Sequence, residues 1–264
     1  MDIKNKTALV TGANGGLGEA IAMHLVNAGA KVIVSGRRPD ALKAIAEKAG
    51  AKIIIADLAK RDDIKRIEQE AGPIDILVAN AAIPATGSFG DEVDEDFIDR
   101  TLDVNLKAPI LMAKHFLAPM IAKRDGHLVF ISSIAGRMPA RGSSMYCATK
   151  YGMRGFALAL REDLYGSGVG VSTIFPGFIR EAGMFARTGV KLPGVMGTKT
   201  PNHVGAAVVR GIRRNLSEVI VASFDQRFGA FMSTLTPNLV SGITRTFGGH
   251  AVAKAIVSTQ RHIR

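Results

Sequence analysis

The chain has no tryptophan, only three tyrosines and a single cysteine, Cys147. One cysteine rules out an internal disulfide and fits a reducing compartment. So few large aromatics argue against a base-stacking platform for nucleic acid. No run approaches the ~18 apolar residues of a membrane-spanning helix. The opening MDIKNKTALVTG enters a strand pattern without a signal-peptide core, so a cytoplasmic location is the expectation. The six histidines show no H-E-x-x-H or other ligand spacing, and no metal is expected. No proline- or serine-rich linker and no repeat interrupts the 264 residues, which predicts one domain over 1–264.

Acidic residues are also in short supply: the formal net charge is +11. That balance raises the question of nucleic acid or anionic membranes. The lysines and arginines are scattered, however, and DEVDEDFID (91–99) is strongly acidic. A generally basic surface, with no nucleic-acid partner, is the reading.

What the chain does have is alternation. TALVTG, KVIVSG, AKIIIAD, IDILVANAA, HLVFISS and GVGVSTIFPG read as strands separated by helical patterns. Continuous apolar strands between helices predict an α/β fold, a single doubly wound parallel sheet covered on both faces. EVIVAS (218–223) reads as a last strand. Beyond it, 224–264 is predicted as a helical extension: Phe228, Phe231, Met232 and Leu235, then Leu239, Val240, Ile243 and Phe247, recur at helical spacing. Such helices pack on the body by default; a second subunit or a membrane surface is the other use for them.

The first strand runs into TGANGGLGEA, where Gly12, Gly16 and Gly18 allow a tight turn and a close approach of backbone amides to a pyrophosphate. Ligands of an open parallel sheet bind beyond the carboxyl ends of its strands. Asp57, Asn80 and the pair Ser132 and Ser133 fall there, closing three different strands. Each also has a plainer use, capping a helix or satisfying loop backbone. In SSMYCATK, Tyr146 and Lys150 share one helix face. They are either a tyrosine packed on a lysine stem or a phenol whose pKa a cation lowers for proton transfer. Cys147 points about 100° away from that face and reads as a small buried residue.

Taken together, TGANGGLG, Asp57, NAA at 80–82, Asn105, Ser133, and Tyr146 with Lys150 resemble the short-chain dehydrogenase/reductase family over roughly residues 5 to 180. The resemblance implies a Rossmann fold and NAD(P)-dependent hydride transfer between a carbonyl and an alcohol. Asn105, Ser133, Tyr146 and Lys150 would be catalytic. Tyr146 would carry the proton, Ser133 would bind the substrate oxygen, and Lys150 would hold the nicotinamide ribose and favour the phenolate. Pro109 cannot donate an amide to the carbonyl of Asn105, which would then be free to hold a relay water. The cofactor would lie on Gly12, Asn14, Gly15, Gly16, Leu17, Gly18, Arg37, Asp57, Leu58, Asn80, Tyr146, Lys150, Pro176, Gly177 and Ile179. Three features depart from the family: Ala82 replaces a glycine, Glu181 stands where a threonine is frequent, and a VDGG-like C-terminus is missing.

The second strand ends in Gly36, Arg37 and Arg38 where an acidic residue would read a ribose hydroxyl, so NADP(H) is expected in preference to NAD(H). The tail and an apolar 180–197 segment, with Met184, Phe185, Val190, Leu192, Val195 and Met196, suggest a mobile lid over a lipophilic alcohol or ketone. A 3-oxoacyl group on a carrier protein or coenzyme A is the alternative, kept open by Arg137, Arg141, Arg180, Arg187, Lys191 and Lys199. A nucleotide-binding regulatory protein without turnover is the second alternative. Tyr151, Phe156, Leu158 and Leu160 give one helix more apolar surface than a single buried face needs. A homodimer or homotetramer through 95–122 and 146–165, as in the family, is therefore expected.

Overall fold

The computed structural model describes residues 1–190, 197–246 and 249–260. Lys191, Leu192, Val195, Met196, Phe247 and the Ile243 side chain lie outside what is described. The strands are β1 (Thr7–Thr11), β2 (Lys31–Gly36), β3 (Lys52–Ile55), β4 (Ile76–Ala79), β5 (Gly126–Ile131), β6 (Val169–Pro176) and β7 (Glu218–Val221). All pair in parallel, in the order β3-β2-β1-β4-β5-β6-β7. This is the doubly wound sheet expected of the alternating pattern.

The helices are α1 (Gly16–Asn27), α2 (Pro39–Ala49), α3 (Arg61–Ala71), α4 (Glu95–Leu102), α5 (Ala108–Lys123), α6 (Ser144–Asp163) and α7 (Pro201–Arg214), followed by α8 (Phe224–Leu235), α9 (Pro237–Thr246) and α10 (Gly249–Gln260). Strand side chains alternate between faces. Ala8, Val10, Ile76, Val78, Val129 and Ile131 therefore join Ile21 and Leu25 of α1, Leu42 of α2, and Val204 and Val208 of α7 in one core. Leu9, Leu77, Leu128 and Phe130 point the other way, onto Ile67 of α3, Met112 and Phe116 of α5, and Met153 of α6. Both strand faces are buried, which is why the strands read as unbroken apolar runs rather than alternating ones. Among the described residues, no helix is long and apolar enough to cross a membrane.

The helical stretch made by α4 and α5 is interrupted between them. Residues Asp103–Lys107 form a π-turn in which the Ala108 amide reaches back to the Asp103 carbonyl. Pro109 explains the widening: with no amide to close the usual bond to residue 105, the register slips to five residues.

His127 on β5 is fully buried, and burial pushes its pKa down to about 3. Its tautomer follows from its neighbours. Ser172 donates its hydroxyl proton to the Leu216 carbonyl at 2.6 Å, so His127 Nε2 must donate to Ser172 Oγ at 2.9 Å. A pKa held below its unfolded value means that the unfolded chain takes up an extra proton as pH falls. Stability should therefore drop by about 1.4 kcal/mol per unit from pH 6.5 downward on this account. A thermal-unfolding series between pH 7 and 4.5 should show a shallower fall in His127→Gln than in the parent; equal slopes would remove His127 from the account.

Candidate active site

The sheet order reverses between β1 and β4, and the crevice above their carboxyl ends is where this architecture binds ligands. Gly12 closes β1 with φ +62°, and a Cβ there would come within 2.6 Å of the Ala81 backbone. A Cβ on Gly18 would meet the Gly12 carbonyl at 2.4 Å, so α1 packs tightly against the turn. Helix α1 starts at Gly16 with Gly15 as N-cap and no side chain capping its first amides. By contrast, Asp94 caps α4 by accepting from the Phe97 amide. An uncapped helix start behind a glycine turn is a fitting cradle for a diphosphate.

Asn80 does not merely line the crevice. Its side-chain amide donates to the carbonyls of Thr11 and Gly12 at 2.9 and 3.1 Å. The Thr11 hydroxyl accepts the amides of Asn80 and Ala81 at 3.1 and 3.2 Å. Sequence reasoning missed Thr11; its only signal was a hydroxyl residue immediately before Gly12. At the end of β3, the Asp63 carboxylate accepts the Asp57 amide at 2.7 Å. That bond, joined by the Arg66 guanidinium, holds the Asp63 carboxyl below the usual range. Leu58 and Ile179 are buried, their side chains committed to packing.

At the adenosine end the geometry differs in one respect from the sequence reading. Gly36 does not simply leave open space: a Cβ there would lie 2.2 Å from Asn14 Oδ1, so the Asn14 side chain fills the gap. Arg38 donates to the Asn14 carbonyl at 2.7 Å, and Arg37 is half exposed, 4.0 Å from the Asp57 carboxylate. Two guanidinium groups thus flank the end of β2.

Asn105, Ser133, Tyr146 and Lys150 come together above β4 and β5. Asn105, buried in the π-turn, pairs both amide atoms with the Ile83 backbone, accepting its N–H at 2.8 Å and donating to its carbonyl at 3.0 Å. Ser132 and Ser133 divide the work at the end of β5. The Ser132 hydroxyl donates to the Lys150 carbonyl at 3.0 Å, fixing α6, while Ser133 Oγ accepts the Ala135 amide at 3.2 Å and faces the Tyr146 phenol. Lys150 is 3% exposed, donates to the Ile131 carbonyl at 2.9 Å, and sits 5.6 Å from the centre of the Tyr146 ring. Burial pushes the phenol up to about 12, against the lowering effect of Ser133, and brings the Lys150 ammonium down to about 8. The expected lowering of the phenol is therefore corrected: desolvation outweighs the effect of Ser133, and the phenol is protonated at neutral pH. Cys147 is buried, and burial raises its thiol. No group of three metal-ligating side chains occurs among the described residues.

The family model described as short chain dehydrogenase matches residues 6–191. The chain belongs to the short-chain dehydrogenase/reductase family. It is 36% identical over 182 residues to the 3-oxoacyl-(acyl-carrier-protein) reductase FabG of Rickettsia conorii, covering 68% of this chain and 75% of that protein. It is 33% identical over 228 residues to the ketoacyl reductase HetN of a Nostoc species, covering 83% and 79%. Among solved structures it superposes on a 3-oxoacyl (acyl-carrier-protein) reductase of Agrobacterium tumefaciens with NADP bound. There the TM-score is 0.74 and the identity 26%, over 83% of this chain and 93% of that one. The protein is accordingly an oxidoreductase of this family.

Beyond β6 the chain makes an excursion from the sheet. The segment after Ile179 leaves the sheet and returns at Lys199, pinched by a parallel bridge in which Arg180 and Lys199 each donate an amide across the gap at 2.9 Å. Glu181 carries a left-handed φ of 73°, and its carboxylate accepts from Arg180 Nε at 3.1 Å. Ala182 lies against Gly16, where a Cβ would come within 2.2 Å of the Ala182 methyl. The excursion therefore crosses the glycine turn. Phe185 packs on Phe178 with ring centres 4.8 Å apart. Arg137 is not available to a carrier: it and Arg154 grip the carboxylate of Glu218, Arg154 Nε at 2.6 Å.

Gln226 of α8 locks the base of this excursion, and sequence reasoning missed it. Its Oε1 accepts the Phe178 amide at 3.1 Å, and its Nε2 donates at 2.7 Å to both the Gly197 carbonyl and Ser223 Oγ. Gly177 must be a glycine here, because a Cβ would fall 1.9 Å from Gln226 Oε1. Replacing Gln226 by leucine strands a buried amide and a carbonyl, a loss of ~1–3 kcal/mol. The expected result is a lower Tm together with faster limited proteolysis within 180–198; unchanged cleavage there would show that the clamp does not hold the loop.

Proposed function

We propose that the protein is an NADP(H)-dependent reductase of a ketone borne on an apolar substrate, yielding a secondary alcohol. The observation that carries this reading is the gathering of Ser133, Tyr146 and the buried Lys150 ammonium at one place, with Lys150 Nζ 5.6 Å from the centre of the Tyr146 ring. Reduced nicotinamide, when bound, supplies the hydride to the carbonyl carbon. Tyr146, protonated at neutral pH, gives its phenolic proton to the substrate oxygen, and Ser133 donates a hydrogen bond to that same oxygen. Lys150 stabilises the phenolate that forms and has N–H donors beyond the one given to Ile131 for a ribose. The Asn105 carbonyl, lacking a partner amide at Pro109, is assigned to a relay water that returns a proton through Lys150. Intact proton-transfer machinery disfavours a purely regulatory nucleotide-binding role.

NADP(H) preference rests on Arg37 and Arg38 beside a strand end without a carboxylate, and on relatives with NADP bound. The substrate class has two readings. The apolar residues of 180–190 favour a lipophilic ketone of any skeleton, whereas the names of the Rickettsia and Nostoc relatives favour a 3-oxoacyl group. A 3-oxoacyl thioester of medium chain satisfies both. Exposed Tyr151 and Leu158 on α6 support pairing of two copies, within a single-domain reading of 1–264.

NADPH oxidation against 3-oxoacyl thioesters of increasing length and bulky alicyclic ketones tests the substrate reading, which predicts kcat/KM rising with apolar size. Preference for small polar carbonyls would sink it. Tyr146→Phe should lower turnover by ~10²–10⁴ with cofactor binding kept. In the reductive direction kcat/KM should stay level through neutral pH and fall above about 8, as Lys150 loses its proton. Arg37→Ala should raise KM for NADPH about tenfold or more, the loss of a charged hydrogen bond of ~1.5–3 kcal/mol, and leave NADH nearly unaffected. Equal losses for the two cofactors would show that Arg37 does not read the 2′-phosphate.

A further inference from the structure

Helix α8 has two unlike faces. Gln226, Ala230 and Ser233, at i, i+4 and i+7, are buried, and Ala230 packs in a small core with Ile134, Met138 and Ala222, beside Ser133. The opposite stripe is more apolar than the buried one. Phe224, Phe228, Phe231 and Leu235, at i, i+4, i+7 and i+11, are exposed at 83%, 57%, 58% and 61%, and Leu239 in α9 is exposed at 55%. Phe224 and Phe228 stack only on each other, 6.3 Å apart and nearly parallel. A helix that buries one stripe ordinarily presents charge on the other, and a contiguous exposed row of large apolar residues marks a surface that something covers.

Charge says what covers it. Residues 224–264 contain Arg227, Arg245, Lys254, Arg261 and Arg264 against a single acidic residue, Asp225. We propose that α8 docks on an anionic lipid surface, setting Phe224, Phe228, Phe231 and Leu235 into the headgroup–acyl boundary while the net positive charge of the chain is attracted to the headgroups. A second copy is the poorer occupant. An isologous contact through this face would bring together two chains that each carry a formal charge of +11. The face is also continuous with the loop base, since Ser223, one residue before Phe224, donates to the Gly197 carbonyl at 3.2 Å. Docking there would place the mouth of the crevice at the membrane, where an apolar substrate is concentrated.

The absence of tryptophan gives a clean probe. Phe228→Trp introduces one indole at the centre of the stripe. With vesicles of phosphatidylcholine and phosphatidylglycerol at 7:3, its emission should shift to the blue and be quenched by brominated lipid. With phosphatidylcholine alone, or in 0.5 M salt, the shift should fall several-fold. The full chain should sediment with the anionic vesicles, and a Phe224→Ser/Phe228→Ser/Phe231→Ser variant should bind them at least tenfold more weakly while keeping its NADPH oxidation on a water-soluble ketone. An indole that stays water-exposed beside anionic vesicles would overturn the proposal, as would undiminished sedimentation of the triple variant. So would light scattering in which the triple variant breaks a parental dimer that does not sediment with vesicles, because a second copy would then be the occupant.

Discussion

The site hangs on the lacing of β1 to β4 through Thr11 and Asn80. These two strands meet where the sheet order reverses, and the chain departs from them toward opposite faces. A crevice opened in that way would splay without a tie. One hydroxyl takes two amides of the β4 turn, and one side-chain amide spans two carbonyls of the β1 turn. Each bond contributes only about 0.5–1.5 kcal/mol net, but all four lie at one point and fix one geometry. Gly12 then has to be a glycine, because the tie pulls the Ala81 backbone to within 2.6 Å of where its Cβ would be. The cradle at the start of α1 and the floor beneath the catalytic groups are both set by this junction.

Above that floor, function and stability oppose each other at Lys150. An ammonium that is 3% exposed keeps one described hydrogen bond, and burial draws its pKa down to about 8 from 10.5. The unfolded chain holds that proton more tightly, so stability rises as pH climbs between about 8 and 10.5 and is lowest on the acid side of that window. At neutral pH the buried charge costs on the order of 3 kcal/mol. The same burial raises the Tyr146 phenol to about 12. Desolvation thus prepares a neutral proton donor beside a cation that is ready to stabilise its conjugate base, and the fold bears the penalty.

The strands were legible because burial on both sheet faces makes them unbroken apolar runs, and the polar residues at their ends follow from where such runs stop. Asp57, Asn80 and Ser133 could be placed in this way before any coordinate was known. The unread parts depend on distance along the chain. Gln226 is a single glutamine in an amphipathic stretch, and its partner Phe178 lies 48 positions away. Arg137 read as a substrate-loop cation because Glu218, which neutralises it, is 81 positions distant. The spacing of Tyr146 and Lys150 predicted their common face but not the sign of the phenol shift, since helix geometry fixes neighbours and only the surrounding packing fixes desolvation.

Helix α8 joins the part of the chain that the family match covers to the part that it does not. The match ends at residue 191, yet the buried face of α8 reaches back to the Ser133–Met138 turn and to both ends of the 180–198 excursion. A displacement of α8 by an ångström would therefore be felt at the loop over the glycine turn and behind Ser133 at once, because Gln226 bonds both Phe178 and Gly197 and Ala230 packs on Ile134. Close-packed contacts transmit such shifts rather than absorb them. Whatever binds the outer face of α8 thus acts on a rigid element whose inner face is already part of the site. Helix α8 is a support for the base of the excursion rather than an appendage to the sheet.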